Sequence, residues 1–387
     1  MAKLGDVFPL VRNGASIRQT DGATGIPITR IETISNREID RNKFGYANII
    51  DGSKYKDYIL QDGDILMSHI NSEKHLGKVA LYRKQGNEQI IHGMNLLMLR
   101  ANPSVLFPPY ATYFFETPAF LMQIQKITKK SVNQASFTVT ALKEIEIPLP
   151  PLGEQCRIAA VLDKVSGLIA KRREQLDKLD ELVKARFVEM FGDPSANSQW
   201  PTQKLSKLGE LNRGVSKHRP RNDPALLGGP YPLIQTGDVS NSGLYILDYS
   251  STYSELGLAQ SRLWKEGTLC ITIAANIAQT SILAFDACFP DSVVGFLPGE
   301  KTNAVFVHYW FSFFQKILEE QAPQVAQKNI NLKILSDLDV IVPPYNLQAD
   351  FSDFVRQAEK SKLTIQQSLD KLEVLKKALM QQYFGVR

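Results

Sequence analysis

The chain repeats itself at a fixed offset, and this duplication limits its possible folds more than any other feature. Residues 134–155 (QASFTVTALKEIEIPLPPLGEQ) match residues 327–348 (QKNINLKILSDLDVIVPPYNLQ) without a gap, 193 positions apart. At the same offset Leu142 falls on Leu335, Pro150 and Pro151 fall on Pro343 and Pro344, and the run LDKL at 176 falls on LDKL at 369. Lys184-Ala185 then meets Lys377-Ala378, and Phe191-Gly192 meets Phe384-Gly385. Upstream the correspondence is looser: KLGDVFPLVRNG at 3 resembles KLSKLGELNRG at 204, GIPITRIETI at 25 resembles PYPLIQTGDV at 230, and DGDILMSHI at 62 resembles EGTLCITIA at 266. The order is A, B, A′, B′. The B parts keep their length and the A parts diverge.

Each B part reads as strand, Pro-Pro, long helix. Alternating apolar residues (Ile145, Ile147, Leu149; Leu338, Val340, Val342) signal a strand, which the proline pair ends because proline cannot donate to a ladder. Gly153 and Asn346 are the expected N-caps, and Gly192 and Gly385 sit where a left-handed C-terminal residue is wanted. Between those ends apolar residues alternate three and four apart: Leu162, Val165, Ile169, Leu176, Leu179, Val183 and Met190, then Val355, Ala358, Ile365, Leu369, Leu372, Leu379 and Tyr383. That 3.5-residue period marks a helix–helix seam, broken in the first copy by Arg172 and Arg186. A helix of roughly 37 residues is about 55 Å long, too long for one A part to cover. The two helices are therefore expected to pair with each other.

The fold class expected is α+β: two mixed α/β domains joined by two long antiparallel helices in a pseudo-twofold internal repeat. The domains run over residues 1–149 and 198–342, with the joints and helices at 150–197 and 343–387. Short turn-bounded strands are expected at 64–70, 78–82, 95–99, 268–274 and 281–285, and aromatic-rich helices at 110–127 and 305–321. The aromatics read as core packing. A length of 387 residues with 43% apolar and 22% charged residues is ordinary globular composition. Three cysteines without a C-x-x-C pair give neither a disulfide framework nor a zinc knuckle. With no apolar run of membrane-spanning length and no apolar signal core at the first residues, a cytoplasmic protein is expected. A formal charge of +5 permits a polyanionic partner without demanding one.

Catalytic signatures are missing. There is no G-x-x-x-x-G-K-[ST] phosphate loop, the five histidines are scattered, and no acidic residue is followed two positions later by lysine. Val342-Pro343-Pro344-Tyr345 approaches the loop by which amino-methyltransferases hold a base amino group, but Val342 replaces the polar acceptor and the first copy has the same prolines in LPPL. The prolines read better as a strand-to-helix joint that occurs twice. No bound cofactor or metal is expected.

Basic and polar loops recur in both copies, as binding to phosphates and base edges requires. Arg12 and Arg18 lie in RNGASIR, and Arg213, Lys217, Arg219 and Arg221 lie in the matching RGVSKHRPR. Arg30 and Gln235 follow in the next matched segments, and Lys129, Lys130 and Asn133, with Lys328 and Asn329, stand just before each joint. These thirteen are the candidate DNA-contacting residues.

With IPLPPLGEQCRIAAVLD at 147 and LDKLDELVKARFVEMFGDP at 176, the chain resembles the specificity subunit, HsdS, of type I restriction-modification enzymes. The resemblance covers essentially the whole chain. The second copy departs from it at VPPYNLQADF, where Leu347 replaces the glutamate. The resemblance implies a non-catalytic subunit in which each target-recognition domain reads one half of an interrupted double-stranded DNA site and the helices set the gap. It also implies two methyltransferase subunits that carry S-adenosylmethionine, and restriction subunits that cut DNA. A DNA adenine methyltransferase and an assembly scaffold that reads no DNA are the rival readings.

Overall fold

The structure is a computed structural model that describes residues 1–34, 38–131, 134–194, 199–274, 277–314 and 330–385. The chain divides into two compact units, one of Met1–Arg173 with Gln367–Arg387 and the other of Glu174–Gln366.

In the first unit the central sheet runs in the order Leu10–Asn13, Leu96–Arg100, Ile65–Ser68, Val79–Leu81, every pair antiparallel. In the second the order is Gly209–Arg213, Val293–Pro298, Leu269–Thr272, Thr280–Leu283, again antiparallel, with Tyr245–Ile246 added in parallel at the edge. The same four-strand order in segments of diverged sequence is the structural form of the repeat. The inner strands Ile65–Ser68 and Leu269–Thr272 are buried at every residue because both sheet faces are covered. Ile65 and Met67 face a core shared with the aromatic helices, while Leu66 packs with Ile34, Leu60 and Tyr82 on the other side. In the second unit Leu269 and Ile271 divide from Cys270 in the same way.

The aromatic segment expected as one helix over 110–127 is two, Pro108–Phe114 and Pro118–Ile127. Pro118 brings no N–H to continue the first helix. Thr117 caps the second, its hydroxyl accepting from Phe120 N at 3.2 Å and donating to the Phe114 carbonyl at 2.7 Å. Its counterpart is Ala304–Phe311, and the rest of the helix expected over 305–321 falls largely outside the described residues.

Both joints form short antiparallel ladders. Ala2–Lys3 pairs with Glu146–Ile147, and Thr202–Lys204 pairs with Asp339–Ile341. The strand signal therefore overran its length in the first copy, where Ile145 and Leu149 lie outside a ladder limited to two residues by its partner.

Long helices follow at Leu152–Phe191 and Tyr345–Phe384, 40 residues each. Gly153 and Asn346 lie inside their first turns and are not the N-caps. Instead the carbonyls of Pro151 and Pro344 accept the first helical bonds, from Glu154 and Gln155 and from Leu347 and Gln348. Gly192 adopts the expected left-handed conformation at φ +82°, but Gly385 is not among the positive-φ glycines. It closes its helix by donating its N–H to the Gln381 carbonyl at 2.8 Å.

The apolar stripes are buried against the units as well as along the helices. In the first unit Ile158, Ala159 and Leu162 share a core with Phe384, and Arg157 stacks over Tyr383 while Arg173 pairs with Glu373 at 2.6 Å. The helix halves of this unit are therefore antiparallel. In the second, Phe187 meets Phe351 and Lys362 pairs with Asp180 at 2.5 Å, which gives the same sense. Phe191 packs on Phe306, and its repeat partner Phe384 packs on Tyr110, each with ring centroids 5.0 Å apart. Truncating such a buried ring to alanine costs about 3–5 kcal/mol.

Candidate nucleic-acid interface

The part that the two units have in common is the joint, and a glutamine sets it. Gln155 and Gln348 are both fully buried. The Gln155 amide donates to the carbonyls of Val105 and Pro150, each at 2.9 Å, and its oxygen accepts from Phe107 N at 2.9 Å. Gln348 donates to the carbonyls of Lys301 and Pro343 at 3.0 and 2.9 Å and accepts from the Thr302 hydroxyl at 2.9 Å. One side chain thus ties the proline corner to the loop before the aromatic helix, twice in the chain. A Gln348→Leu substitution leaves buried carbonyls unpaired and is expected to cost about 3 kcal/mol. A urea titration of the full chain should show it as a lower midpoint, and an unchanged midpoint would refute the clamp.

The two units differ at the sheet end where the strands Leu10–Asn13 and Gly209–Arg213 run out. Gly14 and Gly214 stand at matching places there. A Cβ on Gly14 would lie 1.9 Å from the Gly93 carbonyl oxygen, and one on Gly214 would lie 2.3 Å from that of Phe289. Only glycine allows this approach, by which the loop settles on the segment ahead of the paired strand. In the first unit Ala15 N donates to the His92 carbonyl. His92 is fully buried, and burial pushes its pKa down to about 4, as it does for His69 nearby, so both rings are neutral structural groups at pH 7.

The candidate residues divide into locked and open groups. Arg12 belongs to the strand Leu10–Asn13, not to the following loop; its guanidinium donates to the Asp57 carbonyl at 2.8 Å and stacks 4.9 Å over Tyr58. Arg30 donates to Gln19 Oε1 and is partly buried. Arg18 is exposed. Lys129 and Lys130 form a two-residue strand against Ala135–Ser136, and Lys130 pairs with Glu73 at 2.9 Å. Gln235 is exposed at the start of the helix Thr236–Asn241, its N–H accepted by Asp238 at 2.7 Å. Asn133, Lys328 and Asn329 lie outside the described residues.

Four candidates converge in the second unit. Arg213 ends the strand Gly209–Arg213 and donates Nε and Nη2 to the Asp291 carbonyl at 2.9 and 2.6 Å. Arg221 donates to the Asp291 carboxylate, and Arg219 lies 3.7 Å from it while donating to the Ser216 and His218 carbonyls. Lys217 is exposed between them. The loop is held from beneath. Gln260 Oε1 accepts the N–H groups of Lys217 and His218 at 2.6 and 3.0 Å, and Ser261 donates to the Val215 carbonyl at 2.8 Å. His218 meets Asp223 at 3.0 Å, and the Asp223 carboxyl is held below its usual pKa by the Ala225 N–H first and by His218 next. Asp291, Gln260 and Ser261 hold this loop, and its basic composition did not reveal them because they approach it from distant segments.

A shallow depression of about 460 Å³ lies at each joint. One is lined by Tyr110, Pro148, Pro150 and Tyr383 among others, and the other by Trp200, Lys301, Pro343, Pro344 and Tyr345. Tyr345 opens the second long helix, as the joint reading requires. Among the described residues no group of three or more His, Cys, Asp or Glu side chains could hold a metal ion, and no helix is long and apolar enough to cross a membrane.

Two units that share a four-strand sheet order, each closed by a glutamine-clamped joint and a long helix, define a duplicated α+β protein. The profile described as type I restriction modification DNA specificity domain matches residues 1–180 and again 197–376, and the chain belongs to that family. It is 30% identical, over 98% of its length and 91% of the relative's, to a protein of Methanocaldococcus jannaschii named "Putative type I restriction enzyme MjaX specificity subunit". The EcoKI specificity subunit of Escherichia coli is 26% identical over 57% of this chain, a match that spans about half (48%) of that relative. Among solved structures the S subunit of a type I restriction-modification system from M. genitalium has a TM-score of 0.58 at 15% identity, covering 100% of this chain and 96% of that one. A chain from a type I R-M system, solved for its complex assembly and conformational transition, has a TM-score of 0.54 at 16% identity, covering 98% and 95%.

Proposed function

We propose that this chain is the non-catalytic DNA-specificity subunit of a type I restriction-modification enzyme. Each sheet domain reads one half of a bipartite double-stranded site, and the two long helices set the spacing between the halves. Two methyltransferase subunits and the restriction subunits dock on the assembled chain. The observation that carries this reading is the family match to both repeats, each repeat holding the same four-strand sheet order. In this reading the two recognition domains are residues 1–149 and 198–342, and the joint and helix segments are 150–197 and 343–387.

The chemistry of the open loops supports the same assignment. Arginine forks and lysines at a sheet end suit phosphate oxygens and guanine edges, and in this reading Arg18, Lys129, Lys217, Arg219, Arg221 and Gln235, all exposed, make such contacts. Arg12 and Arg30 act by holding their loops. The reading is tested by reconstituting the chain with its methyltransferase subunits and mapping the methylated adenines. The expected result is one asymmetric interrupted sequence with a modified adenine in each half. Methylation without a bipartite motif, or methyl transfer by the chain alone, would overturn it.

A further inference from the structure

We propose that Asp291 is a specificity-determining residue of the second domain, one that holds its arginines to base reading and away from indiscriminate phosphate binding. The inference rests on the DNA-specificity reading above and deepens it. Three guanidiniums meet this one residue, Arg213 on its carbonyl and Arg219 and Arg221 on its carboxylate. The position follows from the sheet: Arg213 is paired with Val294, so the loop before that strand delivers Asp291 to the side of the arginine loop.

Two physical effects follow. A carboxylate among cations lowers the local positive potential, so each backbone phosphate gains less from the loop. It also spends some N–H donors of each fork and fixes the plane of the rest. Base edges reward a fixed fork, because a bidentate contact to guanine needs both donors in one plane, whereas phosphate accepts many orientations. The side chains of Arg219, Arg221 and Asp291 remain 55%, 46% and 34% exposed, so the assembly is open to a ligand. The first domain differs at the corresponding place: Asn13 and Asn95 flank the loop, and Met94 accepts from the Ser16 hydroxyl.

Asp291→Asn isolates the effect. It removes the charge while leaving the main-chain carbonyl that Arg213 uses, and Gln260 and Ser261 still hold the loop backbone. Binding by the reconstituted complex is measured over a range of salt concentrations on three duplexes: the mapped site, the site with its first half scrambled, and the site with its second half scrambled. The half assigned to the second domain is the one altered by exchanging that domain. D291N is expected to bind the duplex scrambled in that half about three- to tenfold more tightly at low salt, with a log–log salt slope steeper by about one. Discrimination at that half should fall about tenfold or more, while discrimination at the other half stays as in the wild type. Arg221→Lys, which keeps the charge and loses the fork, should leave the salt slope unchanged and still lose discrimination at that half. A D291N complex with wild-type slope and discrimination would overturn this inference alone, as would equal loss at both halves. A wild-type complex with no bipartite preference would overturn the specificity reading and this inference with it.

Discussion

Replacing residues 198–342 with the corresponding domain of another family member is expected to change one half of the methylated sequence completely and to leave the other half and the gap as they were. Among the described residues the second unit builds its core from its own side chains: the cluster around Leu269, Phe296, Trp310 and Phe351 draws on none outside residues 174–366. The core around Ile65, Leu99, Phe115 and Phe384 likewise stays within the first unit. Both cut points also fall just outside a closed ladder, since Thr202–Lys204 pairs with Asp339–Ile341 and travels with the exchanged piece. The incoming domain must supply rings for Phe187, Phe191 and Phe351, the surface that Phe306 and Tyr309 cover here. The measurement is mapping of modified adenines after methylation by the chimeric complex. If both halves changed, the two domains would not read independently.

The repeat, the joint and the long helices were legible in the sequence because their determinants are local. A proline pair ends a strand wherever it stands, and a 3.5-residue stripe needs no knowledge of the rest of the chain. The strands near 65, 79, 96, 269 and 280 were legible for the same reason, as short apolar runs between turns. What escaped depends on partners far away in the chain. Gln155 and Gln348 have no local signal of a special role; their bonds to carbonyls about 50 positions away make them clamps. Phe187 and Phe351 lay outside the counted stripe because they serve the aromatic helix of their unit as well as the helix pair. The locked state of Arg12 follows from Asp57 and Tyr58, and the grouping of Arg213, Arg219 and Arg221 follows from Asp291. A basic loop announces charge in its sequence; which charges remain open to a ligand is decided by the tertiary contacts.

Removing one turn from both long helices is expected to shorten the gap between half-sites by about two base pairs without altering either half. The segments to delete are 174–177 and 367–370, which correspond in the repeat and lie where each helix passes from one unit to the other. Four residues remove about 6 Å of helix, and one base pair of B-DNA rises about 3.4 Å. The deletion is close to one full turn of 3.6 residues, so it rotates the remaining faces by only about 40°. The ion pairs of Arg173 with Glu373 and of Asp180 with Lys362 across the helices lie outside the removed segments. Loss of the buried Leu369 lowers stability by about 2–5 kcal/mol, which a thermal melt records separately from the choice of site. Mapping methylated adenines on a library of half-sites with graded gaps reads the outcome directly. Retention of the original gap by a folded double-deletion complex would show that something other than helix length fixes the spacing.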